Sequence, residues 1–469
     1  MKKYLTIFLT TILLSSCAEQ INRRPVDQLL ADNAFETVDD IESGLIGVYT
    51  GLNFTNQVRH NAIFTDNVKI GTDNGGQSLS LLNLQLDSQT NSFGIWISQY
   101  NTANDVNRIL LASETIEFDE EDQDRLNNIL AQLYTIRAYA HLELLLYYSA
   151  NISNPESLGV PYQTEVTLDG QPERLTTGET TQLILDDLAT ADSLFGEDFE
   201  DVFRVNPDYV DFLRTRLALY TEDWPSVIAN SNDLIAKYPL ADQAQYTAMF
   251  NGDTDQTEVI YSYDNVSGAN LENMARQFIF TGTGGNFIDM SFELLSILQS
   301  DEDDVRLEIN VNPESNIDGG EIGINKYPAG AGQFINDYKA ARISEVYLMR
   351  AEAFARQASP QFQAAADAVQ AIRDARKGTN NVIQPYTSLT QAIADIKFER
   401  RIELCFEGHR YIDIKRYRNI LNQGLDRLPA DCEGSIPCSI NVSDQRWVFP
   451  IPIQELNGNS NMLQNPQWQ

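Results

Sequence analysis

Residues 211–237 read DFLRTRLALYTEDWPSVIANSNDLIAK. Leu213, Leu217 and Tyr220 recur at intervals of four and three, which places apolar side chains on one face of an α-helix. A turn follows at residues 221–223, and Trp224 begins a second apolar stripe. Pro225 falls in the first turn of that second helix, where its missing N–H costs nothing. The stretch therefore predicts two helices joined by a short turn.

This pair, spanning residues 209–238, is similar to a tetratricopeptide repeat in length and in the placement of its small and aromatic residues. The chain from Ile343 to Phe354 and from Ala364 to Ala375 predicts a second pair, interrupted by Ser359-Pro360. The same periodicity predicts further helices at Val38–Leu52, Ile95–Leu111, Asp124–Tyr148, Thr180–Leu194 and Leu389–Phe406. We therefore expect a mainly α protein.

The chain of 469 residues is strongly acidic, with 67 Asp and Glu against 33 Lys and Arg, which gives a formal net charge of −34. A polyphosphate backbone would be repelled by such a surface, and no basic stripe provides a local exception. The composition therefore excludes nucleic acid as a partner. With 42% hydrophobic residues, the chain can bury a large core.

The N-terminus has the features of a secretory leader. Three residues, Met-Lys-Lys, precede the apolar run YLTIFLTTILL at positions 4–14, which is too short to span a bilayer. The sequence Leu14-Ser15-Ser16-Cys17 follows and resembles a bacterial lipobox, in which the cysteine thiol receives a diacylglyceryl group. We expect a signal peptide at residues 1–16 and a lipid anchor on Cys17, the alternative being a chance cysteine beside an ordinary cleavage site.

Three other cysteines occur in the chain. Cys432 and Cys438 bracket the short segment CEGSIPC, so a disulfide between them is plausible outside the cytoplasm, whereas Cys405 lies in an apolar context typical of a buried thiol. Zinc would need further ligands at short spacing, and the three histidines lie far from this loop in the sequence. We predict neither a metal site nor a cofactor.

Two stretches lose the helical period and are expected to be rich in loops. The first, residues 64–90, contains TDNVKIGTDNGGQ; the second, residues 251–340, contains several glycine clusters. Alternation of Val259, Tyr261 and Tyr263 predicts a short strand within the second stretch. Loops on a rigid scaffold often carry binding residues, although plain insertion or disorder is the alternative.

A charged run at residues 399–416 could suggest catalysis but favours structure. Glu399, Glu403 and Glu407 recur every four residues, and Arg400, Arg410, Asp413 and Arg416 lie close by. This spacing predicts ion pairs between packed helices. The sequence contains neither the HExxH spacing of a zinc protease nor the GxSxG motif of a serine hydrolase.

Several segments together resemble the SusD/RagB family of outer-membrane lipoproteins. The lipobox is followed by Pro25, by FET at 35–37 and IGVY at 46–49, by Trp96, Tyr100 and Asn104, and by IRAY at 136–139 and GVP at 159–161. Later segments are DVR at 304–306, RISEVYLMRAE at 342–352, ERRIELCFEGHRYID at 399–413, FPIP at 449–452 and QNP at 464–466. Each segment is weak alone, but their order and spacing make a strong signal.

The resemblance implies a tetratricopeptide-like helical scaffold carrying a loop-rich capping region with short strands. It divides the chain into an N-terminal helical part at 17–250, a capping region at 251–340 and a C-terminal helical part at 341–469. It further implies a cell-surface, non-enzymatic protein of the outer membrane that captures a glycan, as in starch and polysaccharide utilisation, and delivers it to a SusC-like TonB-dependent transporter. The alternatives are a peptide-binding, RagB-like protein and a surface glycoside hydrolase.

The family's ligand site corresponds in position to the two loop-rich stretches. The residues expected there are Asp66, Asn67, Asp73 and Asn74 in the first stretch, and Arg276, Phe278, Phe280, Asn286 and Phe287 in the second. Sugar sites commonly use aromatic platforms, yet all four tryptophans lie outside these stretches. The aromatic arc of starch-binding relatives is therefore not reproduced, which adds weight to a peptide ligand.

Overall fold

A computed structural model describes residues 35–469 except 168, 197, 266–273, 275–277, 279–284, 329–335, 379–381, 433 and 435. The signal peptide, Cys17, Arg276 and Phe280 lie outside the described residues. The prediction of a mainly α protein is confirmed.

The helices are α1 (Val38–Gly51), α2 (Thr55–Ile63), α3 (Leu79–Leu82), α4 (Phe93–Ser113), α5 (Gln123–Tyr148), α6 (Thr177–Leu194), α7 (Pro207–Thr221), α8 (Trp224–Lys237), α9 (Gln243–Asn251), α10 (Phe292–Leu298), α11 (Val305–Asn310), α12 (Ile343–Arg356), α13 (Phe362–Arg376), α14 (Leu389–Glu403), α15 (Arg410–Leu421) and α16 (Ile453–Gly458). The strands are β1 (Val68–Ile70), β2 (Val259–Tyr263), β3 (Ile288–Met290), β4 (Tyr338–Arg342), β5 (Leu425–Asp426) and β6 (Ser439–Ile440). They pair antiparallel as β1 with β3, β2 with β4 and β5 with β6.

Side chains at the helix N-termini fix where several helices begin. Thr37 accepts a hydrogen bond from the Asp40 amide, and the Asp40 carboxylate accepts one from the Thr37 amide, which completes a capping box. Thr176 and Glu179 form the same box at the start of α6. At the turn between α7 and α8, Glu222 adopts a left-handed conformation with φ +63°. The helix–turn–helix pair predicted from residues 211–237 is therefore present.

The longer helices form a stacked array. Helix α5 packs against α6, α6 against α7, and α7 against α8, which in turn packs against α12; α12 then contacts both α13 and α14. The chain leaves this array after α8 and rejoins it at α12, so residues 251–340, which the sequence analysis expects to form the capping region, lie in sequence between two helices that pack together. Apolar side chains such as Leu213, Leu217, Val227 and Leu234 fill the interface between the paired helices.

Helices of twelve or fewer residues account for most differences from the sequence analysis. Helices α2, α3, α9, α10, α11, α15 and α16 were not expected, because runs this short show too few turns for a clear apolar stripe. Helix α14 ends at Glu403 rather than Phe406, which has a left-handed φ of +61°. The strand predicted from Val259 to Tyr263 is confirmed as β2.

A buried charge cluster joins the capping region to the helical array. Its members are Asp304 and Arg306 at α11, Glu258 before β2, Lys326, Arg342 at the end of β4, Arg376 at the end of α13, Glu399 and Glu403 in α14, and Glu407. All of these residues are buried. The expectation that the 399–416 run forms ion pairs between packed elements is confirmed.

Glu403 lies at the centre of this cluster. Its carboxylate lies 3.2 Å from Arg306 Nη1, 2.9 Å from Arg342 Nη1 and 3.0 Å from Arg376 Nη2. Burial acts to raise the pKa of the carboxyl, but the three guanidinium groups outweigh it and hold the pKa well below the usual range. Glu403 is therefore ionised throughout the physiological pH range.

We expect Glu403→Gln to lower the free energy of unfolding by about 3–5 kcal/mol, because three buried arginines would lose a shared counter-charge. Glu200→Gln is the matched control: Glu200 pairs with Lys237 at the exposed surface, so its substitution should leave stability nearly unchanged. Urea denaturation measures the free energy of unfolding of both variants.

The same substitution should have a pH-dependent effect. The stabilising contribution of the Glu403 carboxylate is present above the ordinary glutamate pKa and is lost as the pH falls through its lower pKa in the folded protein. The difference in free energy of unfolding between wild type and Glu403→Gln should therefore narrow below about pH 4. Equal urea midpoints for wild type and Glu403→Gln at pH 7 would contradict the stabilising role of Glu403.

Candidate functional site

The structure brings the two loop-rich stretches together. Strands β1 and β3 pair in the register Val68↔Met290 and Ile70↔Ile288. Directly after β1 and directly before β3, the chain forms one surface, here called the loop face: residues 71–78, residues 285–287 and the adjoining residues 320–321. Segments more than 200 positions apart in the sequence therefore share a single surface.

Glycine permits the close approach of these segments. The Gly71 amide donates to the Phe287 carbonyl at 3.0 Å, and the Asp73 amide donates to the Asn286 carbonyl at 3.1 Å. A Cβ atom at Gly71 would lie 2.2 Å from the Asn286 oxygen, and a Cβ at Gly285 would lie 2.5 Å from the Cβ of Asp73. Both positions therefore require glycine if the two segments are to stay paired.

The side chain of Asn74 joins residues 71–78 to residues 285–287 by hydrogen bonds. Its Nδ2 group donates to the carbonyls of Phe287 at 2.7 Å and of Gln77 at 2.9 Å, and its Oδ1 atom accepts from the Gly76 amide at 3.1 Å. Asn74 is buried, so these bonds satisfy a side chain that water cannot reach. The structure thus places Asn74 beneath the loop face, where it orders the exposed residues.

Asp289 links three segments of the loop face. Its carboxylate accepts from Lys69 Nζ at 3.2 Å, from Asn286 Nδ2 at 2.7 Å and from the Ile322 amide at 3.1 Å. Lys69 also donates to the Gly320 carbonyl at 2.6 Å. The side chain of Asn286 and the backbone at residues 320–322 are therefore held in fixed positions.

The loop face presents polar groups beside an aromatic ring. Thr72 and Asp73 are exposed, while Asn286, Phe287 and Glu321 are half-buried. The Thr72 hydroxyl donates to Glu321 Oε1 at 3.0 Å, and Phe287 packs against the main apolar core. An apolar ring bordered by hydroxyl, carboxylate and amide groups suits a ligand that combines apolar faces with many hydroxyls.

Three other predicted site residues lie inside the protein. Asp66 accepts two bonds from Arg410, at 2.6 and 2.8 Å, and Asn67 Oδ1 accepts from Arg401 Nε at 3.0 Å. Burial acts to raise the pKa of Asp66, but Arg401 and Arg410 outweigh it, and the pKa lies well below its usual range. Phe278 is buried, and its ring centroid lies 5.5 Å from that of Phe406. In this conformation these side chains support the loop face from within.

Sequence reasoning missed Glu321 and the part played by Asp289. Glu321 reaches Thr72 across 249 positions, and no motif signals that contact. Lys69 was a visible cation in the first stretch, but its partners could be assigned only after the pairing of β1 with β3 was known. Within the described residues, no group of His, Cys, Asp and Glu side chains is arranged to hold a metal ion.

The three described cysteines form one disulfide and one free thiol. Cys432 and Cys438 are joined in a disulfide, with their Cα atoms 5.4 Å apart. Cys405 is a buried free thiol, and burial raises its pKa to about 12. A thiol with that pKa stays protonated at neutral pH and is a poor nucleophile.

We expect Gly71→Ala to lower the free energy of unfolding by about 1–3 kcal/mol, because its methyl group would collide with the backbone of residues 286–287. Gly47→Ala is the matched control: Gly47 lies within α1, and a Cβ there meets open space. That substitution should stabilise the protein by about 0.5–1 kcal/mol. Urea denaturation compares them, and equal effects of the two alanines would argue against the close pairing of β1 and β3.

Comparison with known proteins supports this architecture at both ends of the chain. Residues 26–210 match a family model described as starch-binding associating with outer membrane, and residues 324–468 match the SusD family model. The starch-binding protein SusD of Bacteroides thetaiotaomicron is 27% identical over 217 residues, which are 45% of this chain and 35% of that protein's length. Within the residues described above, no helix is both long enough and apolar enough to cross a membrane.

Solved structures share the fold over nearly the whole chain. A SusD superfamily protein from Bacteroides thetaiotaomicron superposes with a TM-score of 0.78 at 20% identity, covering 92% of this chain and 100% of that one. A SusD-like carbohydrate binding protein from Bacteroides vulgatus gives a TM-score of 0.74 at 20% identity, covering 91% and 98%. The matches at both ends, the shared fold and the ordered motifs agree: the chain belongs to the SusD/RagB family.

Proposed function

We propose that this protein is a cell-surface lipoprotein that captures a glycan on the loop face and passes it to a SusC-like TonB-dependent transporter. The observation that carries the proposal is the pairing of β1 with β3, which presents Asp73, Asn286 and Phe287 on one surface. The family's description as starch-binding supports the ligand class. Capture requires no chemical step, and we propose that the protein is not an enzyme.

The charges of the loop face favour an uncharged glycan. Asp73 and Glu321 contribute carboxylates. Of the described cations beside them, Lys69 is buried and paired with Asp289, and half-buried Arg59 donates to Ser78 Oγ at 2.9 Å. A uronic acid or sulfated sugar would face these carboxylates on a chain of net charge −34. Hydroxyl groups can instead donate to the carboxylates and accept from the Asn286 amide, and Phe287 supplies an apolar surface for a pyranose ring.

The family and the N-terminus support the proposal of delivery to a transporter. A diacylglyceryl group on Cys17, together with a further acyl chain, would hold the protein at the outer membrane, since each buried methylene contributes about 0.8 kcal/mol. The loop face would then meet the glycan while the protein remains beside its membrane partner.

Affinity electrophoresis of the chain from Ala18 onward tests capture. We expect at least one neutral polysaccharide in the gel to retard the protein, and Phe287→Ala and Asp73→Ala to abolish most of the retardation. Phe203→Ala and Asp233→Ala are the matched controls, since Phe203 is 38% exposed elsewhere and Asp233 is exposed on α8. These two should migrate like the wild type.

Three outcomes would redirect the proposal. Retardation that survives Phe287→Ala and Asp73→Ala together would move the glycan site away from the loop face. Binding of protein digests in place of any glycan would favour a peptide ligand. New reducing ends appearing in a bound polysaccharide would contradict the assignment as a binding protein without catalysis.

The anchor and the partner can be tested together in the bacterium that produces the protein. We expect a C-terminally tagged chain to incorporate labelled fatty acid, and to co-purify a TonB-dependent outer-membrane transporter from mild detergent. Cys17→Ala should abolish both the incorporation of labelled fatty acid and the recovery of the protein in the membrane fraction. Isolation of the lipidated protein alone, at detergent concentrations that keep known membrane complexes intact, would contradict a stable transporter complex.

A further inference from the structure

A cavity separate from the loop face lies between the start of α4, residues 161–167 and 170–172, and the C-terminal segment around α16. Its volume is about 520 Å³, within the range of small-molecule sites, about 300–1,000 Å³. Trp96, Tyr100 and Tyr162 contribute aromatic walls. None of the residues expected at the ligand site from the sequence borders it. We call this cavity the tyrosine cleft.

Two tyrosine rings of the cleft are fixed through their hydroxyl groups. Tyr100 donates to the Pro161 carbonyl at 2.9 Å, and Tyr162 donates to Asp187 Oδ2 at 2.5 Å. The ring of Tyr162 stacks on His141, with centroids 3.8 Å apart and planes inclined by 18°. The imidazole therefore covers one face of the ring, and Tyr162 is half-buried and lines the cleft.

His141 keeps this platform rigid. Its Nε2 atom accepts from the Gln163 amide at 2.9 Å, so Nδ1 carries the hydrogen and donates to the Arg137 carbonyl at 2.9 Å. Burial lowers the pKa of His141 to about 3, so the imidazole stays neutral across the physiological range. A pre-ordered ring loses little conformational entropy when a ligand stacks on it.

The rim of the cleft is polar and acidic. Gln163, Glu165, Gln171 and Glu455 line it, and neither lysine nor arginine does so among the described residues. Carboxylates around an aromatic wall accept hydrogen bonds from hydroxyls, and side-chain amides both accept and donate them. The carboxylates repel a carboxylated or sulfated ligand.

We propose that the tyrosine cleft is a second carbohydrate-binding site, which takes an uncharged pyranose ring against Tyr162 with its hydroxyls directed to Glu165 and Glu455. The inference rests on the proposed glycan-binding function, but it involves residues separate from the loop face. Two sites on one chain would let the protein hold two segments of one polysaccharide, raising avidity above that of either site.

Fluorine NMR of the full chain from Ala18 onward, labelled with 5-fluorotryptophan, tests the cleft directly. Trp96 borders the cavity, so its resonance, assigned with Trp96→Phe, reports occupancy, while Trp224, Trp447 and Trp468 serve as internal references. The probes are maltotriose, cellotriose, mannotriose and xylotriose at millimolar concentration, with trigalacturonate as the anionic comparison. We expect at least one neutral trisaccharide to shift the Trp96 resonance, trigalacturonate to leave it in place, and Phe287→Ala to leave the shift intact.

Two variants keep the test decisive. Tyr162→Ala removes the platform and should abolish the shift; Thr164→Phe, at an exposed lining position, fills the mouth without touching the core and should do the same. Retardation by a neutral polysaccharide with no Trp96 shift for any neutral trisaccharide would overturn the second site and leave the proposed function standing. A Trp96 shift without polysaccharide retardation would support the cleft and overturn capture at the loop face. A shift that persists in both variants would overturn the assignment to Tyr162.

Discussion

The buried charge cluster around Glu403 is the constraint on which the arrangement of this protein depends. Three arginines from separate elements, Arg306, Arg342 and Arg376, meet on one glutamate that no solvent reaches. Charges buried this deeply cost several kcal/mol each in desolvation and are tolerated only when each finds a partner. Because α11, β4 and α13 supply the arginines while α14 supplies Glu399 and Glu403, the partners are satisfied in one arrangement of capping region and helical array. The cluster therefore specifies how the capping region sits, more than how strongly it is held.

The same logic extends to the loop face and to the surface charge. Asp66 meets Arg401 and Arg410, so the first loop-rich stretch is fixed on α14 and α15 by its own buried ion pairs. Many of the lysines and arginines are buried inside the protein in this way. Because the buried cations are matched by a similar number of buried carboxylates, the net charge of −34 lies on the outer surface, which helps explain why both proposed ligand sites favour uncharged sugars.

Local patterns in the sequence predicted the fold to a large extent. Helices of fourteen or more residues were visible from their apolar stripes, and the spacing of Glu399, Glu403 and Glu407 indicated ion pairs before their partners were known. Contacts between distant segments were not visible. The pairing of β1 with β3 depends on two three-residue strands, and Glu321 reaches the loop face only through it. The tyrosine cleft was missed for a related reason: Trp96 and Tyr100 fit a helix-packing pattern, and nothing in the sequence shows that residues 161–167 and 170–172 leave a cavity beside them.

The central claim is that two loop segments more than 200 positions apart act as one ligand surface. Hydrogen–deuterium exchange tests it most directly, with and without an oligosaccharide cut from a polysaccharide that retards the protein, on the Thr164→Phe chain so that the tyrosine cleft does not respond. We predict slower exchange on binding in residues 71–78 and 285–290 together, with no change on α8. Protection confined to one of these two segments, or to the stacked helices, would contradict it.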